Sequence, residues 1–213
     1  MDRMGADFYG VVEMIEKRLN ALVLPLQIPI YDKEEFTGVV DLVTGKAFYF
    51  DEESLGARVI EGEIPKGSWE NYSFYRELLL ERLTELDPLL LEKYLDHENL
   101  DKSEIQASIR RICLGLKGVP VLCGATFRNK GVQPLLDSIV DYLPAPIDLL
   151  PVSGINPRND EVVTRAVDDN EPFSGLVFKT VTDTYAGNLS YIRVYSGHLN
   201  AGSYIYNSTQ DKT

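Results

Sequence analysis

Apolar and polar residues recur along this chain with two periods, and the changes between them mark its elements. Near the start, Phe8, Val11, Val12, Ile15 and Leu19 fall on one face of a helix that Asp7 is placed to cap and that ends at about Asn20. Residues 22–30, LVLPLQIPI, predict a strand, which Pro25 and Pro29 confine to an edge or bulged position. TGVVDLV and KAFYF, on either side of Thr44-Gly45, predict a hairpin over 37–50, and a further strand is expected within 57–64. From Ser68 to about Leu95 the pattern is helical, with Leu78, Leu79, Leu83 and Leu86 before a break at Asp87-Pro88. Pro88 suits the first turn of a second helix. Another helix follows Asp101-Lys102-Ser103 and uses Ile105, Ile109, Ile112, Cys113 and Leu116.

The stretch 121–143, VLCGATFRNKGVQPLLDSIVDYL, organises the rest. Val121, Leu122 and Cys123 form a short apolar run expected of a buried strand, and Gly124 breaks it. A polar loop ends at Asn129-Lys130-Gly131. Apolar residues then fall at 132, 135, 136, 139, 140 and 143, close to helical spacing, until Pro144 and Pro146 stop the helix. Strand, tight turn and amphipathic helix make half of a βαβ layer, and the loop leaving the carboxyl end of such a strand is where ligands sit in open α/β sheets. Residues 147–172, with Pro151, Pro157, Pro172 and Gly154, have the composition of a linker. Beyond them the period becomes two. LVFKTVTD, NLSYIRVYSG and SYIYNST predict three antiparallel strands, with turns near Tyr185-Ala186-Gly187 and between His198 and Gly202.

The opening Met1-Asp2-Arg3-Met4-Gly5-Ala6-Asp7, the triplet Gly124-Ala125-Thr126 and the run RNKGVQ at 128–133 together closely resemble elongation factor G, the translational GTPase. The resemblance extends over essentially the whole chain and is strongest at 1–7, 119–146 and 173–207. In that family Met1-Asp2 looks like the end of the N-K-M-D guanine-recognition motif, and Gly124-Ala125-Thr126 looks like the G-S-A loop, the second guanine contact. The implied fold is α/β and α+β: a partial P-loop GTPase domain with an α+β insert, then an incomplete antiparallel β-barrel. The implied division is 1–21 and 119–146 for the end of the GTPase domain, 22–118 for the insert, 147–172 for a linker and 173–213 for the start of the barrel. The resemblance assigns guanine binding to Asp2, Gly124, Ala125 and Thr126. An Asp carboxylate accepts from guanine N1–H and the exocyclic amine, which adenine cannot offer, and the backbone N–H of Thr126 donates to O6. Ala125 and Thr126 depart from the family's Ser and Ala; the hydroxyl that would brace the loop is lost, whereas the backbone donor survives.

Charge and motifs limit what the chain does by itself. Net charge is −12, and residues 31–118 hold 19 acidic and 11 basic side chains. An acidic face repels a phosphate backbone, so the insert is expected to meet a protein and not nucleic acid. The resemblance names that protein as the ribosomal stalk protein and places the whole factor on the ribosome. No G-x-x-x-x-G-K-[ST] occurs, so no cradle for phosphates is encoded here. GTP or GDP and magnesium are implied for a full-length protein, with none expected on this fragment, which is expected to be inactive as a GTPase when alone. A related ribosomal-protection or release-factor GTPase, or a non-enzymatic module that docks on the stalk, are the alternative readings. Unpaired strand edges at 173–207 invite pairing with a second copy. Cys113 and Cys123 sit in apolar surroundings as free thiols, His97 stands in an acidic loop, and Tyr72, Phe74 and Tyr75 beside Trp69 are expected to pack a helix. No stretch approaches the roughly 18–20 apolar residues of a membrane span and no signal peptide is visible, so a cytoplasmic location is expected.

Overall fold

The computed structural model describes residues 1–51, 53–54, 56–95, 100–156, 159–185 and 187–213. His97, Ala186 and Pro157 therefore lie outside the described residues. The chain divides into two units, Met1–Leu143 and Pro144–Thr213.

The first unit opens with α1 (Phe8–Leu19). The Asp7 carboxylate accepts from the Gly10 N–H at 3.0 Å, satisfying one of the helix's orphan donors, and Asn20 closes the helix in the left-handed conformation. Phe8 and Val12 form its buried face. The apolar run 22–30, expected to be one strand, is two strands in two sheets. β1 (Val23–Pro25) ends at a proline and β2 (Gln27–Asp32) begins two residues later. Leu26 joins them: its N–H donates to the Val121 carbonyl at 2.9 Å, and its own carbonyl accepts from the Leu42 N–H at 2.8 Å. A chain that changes sheet keeps its backbone groups satisfied at the crossing in this way. Pro29 is tolerated because β2 is an edge strand.

β2 leads a four-stranded antiparallel sheet with β3 (Glu35–Asp41), β4 (Lys46–Phe50) and β5 (Val59–Gly62), in that order. The β3–β4 turn forms as expected. Asp41 Oδ1 accepts from the N–H groups of Val43 and Thr44 and from the Thr44 hydroxyl, and Gly45 has φ +68°. Helices α2 (Trp69–Leu86) and α3 (Pro88–Leu95) meet at Asp87, and α4 (Lys102–Leu114) carries a full capping box between Asp101 and Glu104. Trp69 packs edge-on against Tyr72 and Tyr75 stacks on Tyr9, the helix-packing role expected of these rings, while Phe74 stays exposed. β6 (Val119–Val121) pairs in parallel with β1 and is followed by α5 (Val132–Tyr142). The strand lies two residues earlier than expected, and Cys123 belongs to the buried loop entry. A single cluster of buried residues joins Phe8 and Val12, the sheet residues Ile28 and Val40, Leu79 and Leu83 of α2, Ile105 and Ile109 of α4, and Cys123 and Tyr142. Residues of 1–21, 22–118 and 119–146 thus share one core.

In the second unit, the stretch 147–172 is not merely a linker. It holds a hairpin of β7 (Val152–Ile155) and β8 (Val162–Arg165), whose prolines flank the strands rather than interrupt them. β9 (Ser174–Asp183) and β10 (Gly187–Ser196) form a second, longer hairpin, as expected. The third expected strand, SYIYNST, does not form. The Asn207 side-chain carbonyl accepts from the N–H groups of Thr209 and Gln210, which turns the chain where a strand would need it extended. No described helix is long and apolar enough to cross a membrane.

Candidate functional site

The loop between β6 and α5 is held in shape by its own backbone. Ala125 and Lys130 exchange N–H···O bonds of 2.8 and 3.1 Å, and the Arg128 N–H returns to the Ala125 carbonyl at 2.9 Å. Thr126–Arg128 make one 3-10 turn, and Asn129 and Gly131 follow with positive φ. Two glycines let the loop cross over itself. A Cβ on Gly124 would lie 2.9 Å from the Lys130 carbonyl, and one on Gly131 would lie 3.0 Å from the Cys123 carbonyl in a backbone conformation that side chains avoid. Lys130 then ties the loop to the neighbouring sheet. It is only 5% exposed, and its ammonium donates to the Phe36 carbonyl at 2.8 Å and stands 3.6 Å from Glu35.

Asp2 comes to this loop from the far end of the sequence. The Met1 nitrogen donates to the Gly124 carbonyl at 2.8 Å across 123 positions. The Asp2 carboxylate lies 3.5 Å from Arg128 Nε, and Arg128 also reaches to 3.8 Å from Glu35. Asp2, Glu35, Arg128 and Lys130 are among the residues that border a depression of about 270 Å³. Among the expected site residues, Gly124 is half-buried, Ala125 is buried and Thr126 is exposed at the tip of the loop. The structure therefore brings Asp2 to the 124–126 loop. Arg128, Lys130 and Glu35 belong to the same corner and were missed as individuals. Arg128 and Lys130 stood in the RNKGVQ run already singled out, but nothing local signalled Glu35, which reaches the corner only through the path of β3.

Burial sets the chemistry of the groups below the loop. Burial pushes the Cys123 thiol up to about 12, with a small opposing effect from the nearby amino group, so the thiol is not a nucleophile at neutral pH. Burial, together with neighbouring Tyr75 and Cys123, likewise raises the Tyr9 phenol to about 12. No group of three or more His, Cys, Asp or Glu side chains among the described residues is placed to hold a metal ion. At the rim, what the corner offers is two carboxylates, Asp2 and Glu35, on either side of Arg128, beside a loop of fixed backbone; a carboxylate can accept from two adjacent N–H donors.

Comparison with known proteins bears on both units. A family model described as elongation factor G domain 2 matches residues 172–213, the segment that holds β9 and β10. Among solved structures, a crystal structure of a Thermus thermophilus protein is similar over 93% of this chain, with a TM-score of 0.69 and 27% identity. The chain spans only 27% of the length of that protein. Residues 172–213 are thus similar to elongation factor G domain 2, and the chain as a whole is similar in fold to that Thermus thermophilus protein.

Proposed function

We propose that this chain is part of a translational GTPase of the elongation factor G kind, which promotes GTP-dependent movement of tRNA and mRNA through the ribosome in the cytoplasm. Residues 1–21 and 119–146 are read as the end of the GTP-binding domain, 22–118 as its insert and 173–213 as the start of the barrel. One observation carries the reading: the Met1 nitrogen meets the Gly124 carbonyl at 2.8 Å, so that two short motifs 123 positions apart form one corner. Asp2 accepts from guanine N1–H and the exocyclic amine, and the Thr126 N–H donates to O6. Arg128 shares the Asp2 carboxylate when the base is absent. Magnesium and the phosphates of GTP are held by other parts of the whole protein. The acidic insert docks on the ribosomal stalk protein, and free edges of β9 and β10 pair with another chain.

A titration of the chain with GDP and ADP, followed by backbone amide NMR, tests this reading. Two charge-assisted hydrogen bonds supply roughly 1–3 kcal/mol each, and ordering the first residues costs about 1–2 kcal/mol per residue, so the dissociation constant is expected in the millimolar range or weaker. Shifts confined to residues 1–3 and 124–128, produced by GDP and not by ADP, are the expected result, with no hydrolysis of GTP. Equal shifts with ADP, or GDP shifts away from that corner, overturn it.

A further inference from the structure

Four charged side chains form a row from the amino terminus to the sheet. Arg128 Nε lies 3.5 Å from one oxygen of Asp2, whose other oxygen faces the Met1 amino group at 3.8 Å. A terminal nitrogen of the same guanidinium lies 3.8 Å from Glu35 Oε1, and that oxygen stands 3.6 Å from the Lys130 ammonium. The members of the row differ in freedom. Lys130 is buried, and its ammonium donates to the Phe36 carbonyl at 2.8 Å. Glu35 opens β3 directly after the turn at Lys33 and Glu34, both at positive φ, and pairs with Asp32 across the hairpin, so its backbone is fixed. Arg128 keeps 60% of its side chain in water and has room to turn.

On the reading proposed above, on which this inference rests, guanine takes Asp2 with two adjacent N–H donors. A guanidinium presents the same kind of edge, paired N–H donors in one plane, so the base and Arg128 exclude each other at one carboxylate. Entry of the base therefore displaces Arg128. The guanidinium stays charged and needs another acceptor, and Glu35 is the carboxylate already beside it.

We propose that Arg128 and Glu35 set the affinity of the corner for guanine: Arg128 competes with the base for Asp2, and Glu35, held by Lys130, is the positioning residue that takes Arg128 aside. β3 thereby tunes how tightly a base is kept. GDP titrations of the whole chain at fixed ionic strength, followed by the amide signals of residues 1–3 and 124–128, test this in the wild type, Arg128→Gln, Glu35→Gln and the double variant. Both side chains are more than half exposed, so the fold survives either change. Arg128→Gln is expected to bind GDP about threefold more tightly and Glu35→Gln about threefold more weakly, the size of an exposed ion pair. Long-range charge predicts the opposite signs, because GDP is an anion that a cation attracts and a carboxylate repels. Adding Glu35→Gln to Arg128→Gln is expected to change nothing further, because Glu35 acts through Arg128. Unchanged affinities, signs that follow long-range charge, or an equal effect of Glu35→Gln with and without Arg128 overturn the proposal and leave the guanine reading intact. Absence from the wild type of GDP shifts at the corner that ADP does not reproduce overturns both.

Discussion

Asp87 shows how one residue serves three purposes. It ends α2, starts α3 through the Leu89 N–H at 3.3 Å, and receives both Nε and a terminal nitrogen of Arg111 at 3.2 and 2.5 Å. Burial by itself would raise its pKa; the hydrogen bonds and charge of Arg111 outweigh burial and hold the carboxyl below its ordinary 3.8. A carboxyl lowered in the folded state contributes stability that is complete above the unfolded value and is lost as pH falls through the folded one. Arg111→Ala is therefore expected to cost about 1–2 kcal/mol at pH 7, less than for a fully buried pair because Arg111 remains partly in water. Urea titrations of the two proteins check this, and the difference should close in acid, below the folded pKa of Asp87. A constant difference at every pH would assign the loss to packing alone.

Among the elements, α4 and α5 carry similar apolar stripes and put them to different uses. Ile105, Ile109 and Ile112 of α4 are buried, whereas Leu135, Leu136, Ile139 and Val140 of α5 remain exposed, Val140 to 77%. Tyr142 is the residue by which α5 enters the core. Ile109→Ala should cost about 2–5 kcal/mol, because a closed site cannot collapse around the lost atoms. Leu136→Ala should stay within about 0.5 kcal/mol, because its side chain is already in water. Chemical denaturation of both variants decides it, and similar losses would mean that α5 is buried in solution. The amphipathic pattern of α5 was legible from residues 132–143, but its periodicity says only that the helix has an apolar face, not that anything covers it.

At the level of the molecule, the buried apolar residues among those described all belong to Met1–Leu143, while the strands of Pro144–Thr213 are almost wholly exposed. Two-stranded sheets are marginal in water. Hydrogen exchange should therefore find amides of β7–β10 at least about a hundredfold less protected than those of β3, β4 and α4. Uniform protection in a monomer would contradict this assignment of stability.

Local chemistry was written in the sequence. Asp7 and Asp101 mark helix starts, Thr44-Gly45 a turn and Asp87-Pro88 a helix break, because capping, φ preference and a missing N–H act within a few residues of themselves. The alternation of 174–196 fixed a hairpin for the same reason. Partnership over distance was not written there. Residues 22–30 read as one strand because periodicity cannot show that Leu26 bonds to Val121 on one side and Leu42 on the other. The strand expected at SYIYNST has β-rich composition, but an Asn207 side chain that accepts from the backbone N–H groups of Thr209 and Gln210 turns the chain there. Asp2 and Gly124-Ala125-Thr126 were legible as candidates through resemblance. Their neighbours Glu35, Arg128 and Lys130 acquired a role only when folding carried β3 against the loop, since an ion pair depends on distance in space and separation along the chain does not encode it.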